Sequence, residues 1–310
     1  MLLSKCRPLV SRIQIPRTAS ISLFHTNRII QSATYPSNVS INNNDNNNNN
    51  NNNNAALFAF GSRLGLQNLS PQLLQQAVTH ATFDAEHNNQ ALSFLGKQAI
   101  LYYTTEYLHC KYPDLPVDCF KYATSAYTSA KATNSLGHQL GLQHVMRWER
   151  PQTAEDSVMD GHAYAMCSCI NALVGAVYQE QGPDAAKKMV HDYILNNRTI
   201  DLLPAFRRME AKRSLSALLN RSKKERAVSR LLSETGRKSS SPVFVVGVFS
   251  GNKKLGEGFG SSLKMAEHRA CRDALMNHYA QEQKDYILPS DAHLVDSYVP
   301  PVLGDTEAIV

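Results

Sequence analysis

The sequence predicts two domains of different class: an all-α domain over residues 55–206, then an α+β domain of order α-β-β-β-α over residues 207–285. Three observations carry that reading. From Pro71 to Leu195 apolar residues recur at intervals of three and four, as they do on helices with one buried face. After Pro204 the character changes, and three short strand-like runs follow within about 75 residues, flanked by a helix on each side. A chain of 310 residues with 43% hydrophobic content is long and apolar enough to bury two cores.

In the first domain the helical segments are PQLLQQAVTHATF (71–83), ALSFLGKQAILYYTTEYLHCKYP (91–113), FKYATSAYTSAKATNSLGHQLGL (120–142) and GHAYAMCSCINALVGAVYQEQG (161–182). Gly182 and Pro183 end the fourth, and DAAKKMVHDYIL (184–195) starts another. In the second domain a short helix at about 210–221 runs into the basic stretch RSKKER (221–226). The strands are AVSRLLSET (227–235), PVFVVGVFS (242–250) and KLGEGFG (254–260), with GNKK (251–254) turning the last two. SLKMAEHRACRDALMNHYAQEQ (262–283) reads as the closing helix, with Ser262 as N-cap. Residues 286–310, with Pro289, Pro300 and Pro301, read as an extended tail that orders against a partner.

Before the first domain lie two segments of different composition. Residues 1–41 contain Lys5, Arg7, Arg12, Arg17 and Arg28, with serines between them and no Asp or Glu, which is the composition of a mitochondrial presequence. An arbitrary basic tail is the alternative. Residues 42–54 are asparagine interrupted only by Asp45; the tract cannot bury apolar surface, so a disordered spacer is expected. No apolar run reaches the ~20 residues of a membrane span, and a soluble chain is expected.

Charge points to a polyanionic partner. The net charge is +6, and residues 210–285 hold fifteen Lys and Arg against eight Asp and Glu. The candidate anion-binding residues are Lys223, Lys224, Arg237, Lys238, Lys253, Lys254, Ser262 and Lys264, the last two at a helix N-terminus, where backbone N–H groups suit phosphate; the resemblance described next makes RNA their expected partner. No cofactor is expected. Gly256-x-Gly258-x-Gly260 resembles a dinucleotide fingerprint only superficially, because no βαβ unit surrounds it. His80, His87, His109 and His162 have no metal-ligand spacing. The six cysteines include no C-x-x-C pair. Cys167 and Cys169, two apart on a helix, point in different directions, so buried free thiols are expected.

GEGFGSSLKMAEHRACRDAL (256–275) resembles the end of a double-stranded-RNA-binding domain, which reads A-form shape and phosphate. It departs from that family in two places. Leu263 and Lys264 stand where two lysines are usual, and TGRKSSSP (235–242) replaces a His-containing loop. The usual two-groove clamp is thereby in question, and Leu263 has an alternative reading as part of an apolar patch docking on protein.

LLQQAVTHATF (73–83), NNQALSFLGKQAILYYTTEYLHCKYP (88–113), LGHQLGL (136–142) and INALVGAVYQEQG (170–182) resemble, in order, segments of the ribonuclease III domain. That resemblance implies a nuclease fold whose chemistry needs clustered Asp and Glu around Mg²⁺. The matched acidic positions hold Gln90, Ser93, Lys97, Ser168 and Asn171, and none is acidic. Ser93 and Lys97 share one helix face, as do Ser168 and Asn171. An ammonium ~4 Å from a unit positive charge costs about 4 kcal/mol at an effective dielectric of 20, and Mg²⁺ doubles that. Asp84, Glu86 and Glu106 do not lie at matched positions. The expectation is a pseudoenzyme with no catalytic residue and no metal.

GRKSSSPVFVVGVFSGNKKLGEGFGSSLKMAE (236–267) is similar to fungal members of a family of ribonuclease III-like proteins of the mitochondrial large ribosomal subunit. The resemblance implies a structural component of the mitochondrial ribosome in the matrix, acting in mitochondrial translation. Its implied partners are mitochondrial large-subunit rRNA, neighbouring large-subunit ribosomal proteins, and a second ribonuclease III-like ribosomal protein in a heterodimer. The alternative is a non-catalytic RNA-binding partner of an active mitochondrial RNA-processing nuclease.

Overall fold

The computed structural model describes residues 46–150 and 161–301. The presequence reading, residues 42–45 of the Asn-rich tract and residues 302–310 of the tail lie outside the described residues.

Helix α1 (Asn46–Arg63) begins within the Asn-rich tract that the sequence reads as a spacer. Leu57 and Phe60 bury in the core and fix the C-terminal half of α1.

The helical body continues with α2 (Pro71–Ala77), α3 (Gln90–Lys111), α4 (Val117–Thr128), α5 (Ala130–Leu140), α6 (Gly161–Gln181), α7 (Pro183–Val190) and α8 (Leu203–Phe206). A π-helical turn, His191–Leu195, prolongs α7. Two boundaries differ from the sequence reading. α2 stops at Ala77 and not at residue 83, because the backbone at 78–80 pairs with Arg147 instead: Arg147 N donates to Val78 O (2.9 Å) and His80 N to Arg147 O (2.8 Å). The expected helix over 120–142 is two helices. Ser129 turns extended (ψ 151) and its hydroxyl accepts from Ala132 N at 3.4 Å, capping α5 while ending α4.

The second domain follows the predicted order: α9 (Ala211–Arg221), β1 (Ala227–Thr235), β2 (Val243–Ser250), β3 (Lys253–Gly260) and α10 (Leu263–Tyr279). The antiparallel sheet has order β1-β2-β3. α10 lies on the β3 glycines; a Cβ on Gly256 or Gly258 would come within 2.7 Å of an α10 backbone atom. Val248, Ala270, Cys271, Ala274, Leu275 and Tyr279 join α9 and the helical body in one continuous buried cluster.

Residues 281–301 return to the helical body. Gln283 N donates to Lys111 O (2.9 Å), and Tyr112 Oη donates to Glu282 Oε1 (2.5 Å). Ser290, in the 3₁₀ turn Pro289–Leu294, donates its N–H and hydroxyl to the two oxygens of buried Glu106 (2.7 and 2.8 Å). Asp291 stands 2.5 Å from buried Lys187 Nζ, an ion pair by distance without hydrogen-bond geometry. The tail reading is corrected here: this stretch is ordered on the chain's own helices, because the buried charges of Glu106 and Lys187 need counter-groups. Cys110, Cys119, Cys167, Cys169 and Cys271 are buried free thiols. Burial pushes the Cys119 and Cys169 thiols up to about 12.

A helix seam without carboxylates and a candidate RNA interface

α3 and α6 meet backbone to backbone. A Cβ on Gly96 would lie 1.8 Å from Asn171 O, and one on Gly175 would lie 2.1 Å from Leu92 O. Glycine at both positions lets the helices approach this closely, and it brings the matched positions of the two helices to one seam. Ser93, Ser168 and Asn171 are half-buried there; Gln90 and Lys97 are exposed on α3.

A residue that sequence reasoning passed over organises the seam. Asn89 is fully buried. Its Nδ2 donates to Ala77 O (3.1 Å) and to Cys169 Sγ (3.4 Å), and its Oδ1 accepts from Ser168 Oγ (3.1 Å). Its backbone N–H donates to Thr79 O (3.0 Å), and its carbonyl accepts from Ser93 N (2.8 Å). One amide thus ties α2, α3 and α6 together where the matched residues converge. Its only advance signal is its position directly before the helix start.

The neighbouring acids are engaged elsewhere. Asp84 accepts from Glu86 N (2.9 Å) and His87 N (3.0 Å), and these bonds hold its carboxyl below the ordinary range. Glu106 holds Ser290. Among the described residues no group of three or more His, Cys, Asp or Glu side chains is placed to hold a metal ion. Ser and Asn at the seam offer neutral oxygen donors and no negative charge, so the arrangement can hydrogen-bond but cannot balance a dication.

In the second domain, strand register divides the eight candidate RNA contacts. Thr235 pairs with Val243, and Phe244 with Gly260. The loop bearing Arg237 and Lys238 therefore shares one sheet end with Ser262 and Lys264. Ser262 Oγ accepts from Met265 N (3.2 Å), capping α10 as the sequence predicts. Lys212 of α9 pairs with Glu267 of α10 at 2.9 Å, and Lys212, Arg213 and His268 are exposed basic groups that sequence reasoning did not select. Leu263 and Met265 are exposed beside Lys264.

Lys223, Lys224, Lys253 and Lys254 stand at the other end. Ser250 pairs with both Ala227 and Lys253 there, and Ser250 Oγ donates to Glu225 O (2.8 Å). β2 is eight residues long, so the two ends lie about 25 Å apart at ~3.3 Å per residue.

Comparison with known proteins agrees with this architecture. Residues 70–198 match the family described as ribonuclease-III-like, and residues 208–298 match the MRPL44 dsRNA-binding domain. The chain is 28% identical to large ribosomal subunit protein mL44 of Neurospora crassa, over 73% of this chain and 73% of that protein. It is 30% identical to ribonuclease 3 of Symbiobacterium thermophilum, over 69% of this chain and 90% of that protein. A solved nuclease domain of ribonuclease III from Campylobacter jejuni aligns at 22% identity with a TM-score of 0.40, over 46% of this chain and 97% of that one, and adds nothing to the fold as described. The chain belongs to the ribonuclease III family, as a ribonuclease-III-like domain joined to a double-stranded-RNA-binding domain of the MRPL44 type.

Proposed function

We propose that this protein is a non-catalytic structural component of the large subunit of the mitochondrial ribosome, acting in the matrix. The observation that carries the reading is the seam itself: the positions matched to the family's acids hold Gln90, Ser93, Lys97, Ser168 and Asn171. The likeness to mL44, whose name places that protein in a large ribosomal subunit, supplies the setting. In this reading the double-stranded-RNA-binding domain grips duplex segments of the large-subunit rRNA through Arg237, Lys238, Ser262 and Lys264, and neighbouring ribosomal proteins pack around the helical body.

Pairing with a second ribonuclease III-like ribosomal protein is supported by the outer face of α3. Phe94 is 70% exposed, and Leu101 and Tyr102, seven and eight residues on, are exposed on the same face.

Sedimentation of a mitochondrial matrix extract through sucrose at moderate and high salt tests the function. The protein is expected to travel with the large ribosomal subunit and to stay there at high salt. Migration with a free RNA-processing nuclease would support the accessory-factor alternative and overturn the ribosomal one.

A further inference from the structure

The second sheet end resembles the first in charge but points away from it. The loop after α9 supplies Lys223, Lys224 and Arg226, and the β2–β3 turn supplies Lys253 and Lys254; all five are exposed. Tight backbone brings the two segments together, with Lys223 at φ 51 and Gly251 at φ 58. Two acids lie among them. The Glu225 carboxylate sits against Gly251, and Glu257 pairs with Lys254. Among the described residues no carboxylate pairs with Lys223, Lys224 or Lys253.

We propose that this end is a second RNA site, taking the sugar-phosphate backbone of a segment separate from the duplex held at the first end. The proposal rests on the reading of the domain as an RNA binder and extends it from one contact surface to two. A duplex crossing the loop at 236–242 and the start of α10 at a right angle to β2 does not meet the far end, which an eight-residue strand places about 25 Å away. Phosphate is favoured over an acidic protein for two reasons. Lysine is depleted in the cores of protein interfaces, and no large apolar side chain is exposed within 221–226 or 250–254 to anchor one. Closely spaced lysines and an arginine with few competing acids are what neutralises a phosphate backbone. The domain would then bridge two rRNA segments.

The test uses the full chain and RNA duplexes of about 16 base pairs, the length such a domain spans. One duplex is immobilised, and capture of a second, fluorescent duplex is read. The wild type is expected to capture it. The variant Lys223→Gln/Lys224→Gln/Lys253→Gln is expected to hold the immobilised duplex within about threefold of wild type, to lose at least tenfold in capture, and to lower the log–log salt slope for capture by about 3. The variant Arg237→Gln/Lys238→Gln/Lys264→Gln is expected to lose grip on the immobilised duplex instead.

Capture that survives the first variant would mean bridging through paired copies of the chain, and would overturn the proposal. Equal loss of both activities in both variants would mean one continuous surface, and would overturn it too. The same holds if polyglutamate, and not RNA, protects Lys223 and Lys253 from acetylation. Failure of wild type to bind any duplex would sink the RNA-binding reading itself, a result distinct from loss confined to capture.

Discussion

The Cβ that Gly96 lacks would stand 1.8 Å from the carbonyl oxygen of Asn171. Backbone fills that space, so no rotamer change can relieve the clash. α3 and α6 must separate if either seam glycine gains a side chain. Gly96→Ala is therefore expected to cost about 3 kcal/mol, the upper part of the usual range for overpacking. Urea unfolding checks it; a loss under about 0.5 kcal/mol would mean that the helices do not touch here.

Asn89 offers a second test of the same seam. Asn89→Leu keeps the branched shape but removes the partners of Ala77 O and Ser168 Oγ. A buried polar group left unpaired costs about 1–3 kcal/mol, and a loss in that range is expected in the same unfolding experiment. RNA binding by the second domain should be unaffected.

The contact between Glu106 and Ser290 joins α3 to the segment after α10. In a double-mutant cycle of Glu106→Gln and Ser290→Ala, a coupling of about 1 kcal/mol is expected. Limited proteolysis of Glu106→Gln should cut between Lys284 and Pro301 sooner than in wild type. Strict additivity with unchanged cutting would show that the segment is held by something else.

Acid should loosen the same region through His191. Burial, and then the nearby Lys187 ammonium, lower its pKa; Glu106, Asp291 and Asp192 oppose the shift. Its ring packs edge-on against Tyr107, and its Nε2 has no hydrogen-bond partner, so the neutral form is the one that fits. The unfolded chain takes up the proton first as pH falls below the ordinary value of 6.5. Stability from this group is thus complete above that value and declines beneath it. Unfolding midpoints between pH 7.5 and 5.5 should fall less steeply in His191→Phe than in wild type.

Much of this architecture is legible in the residues, and the gaps have physical causes. VFVVGVFS and the Ser262 cap announce β2 and α10 because local alternation and capping chemistry decide them. The end of α2 is hidden, because it depends on Arg147, far along the chain. The break at Ser129 is hidden because Ser125 and Ser135 in the same segment are equally good cap residues. The eight candidate RNA contacts carry no placement in sequence, and strand register is what divides them between two sheet ends. The tail was unreadable because its partners, Glu106 and Lys187, are charges that the fold buries.

In the function proposed above, the fold persists without the chemistry of its family. Incubation of the purified chain with long double-stranded RNA at millimolar Mg²⁺ or Mn²⁺, followed on a denaturing gel, tests it most directly. The RNA is expected to stay intact for hours while remaining bound. Metal-dependent cleavage into discrete products, lost in Asn171→Ala, would contradict the account.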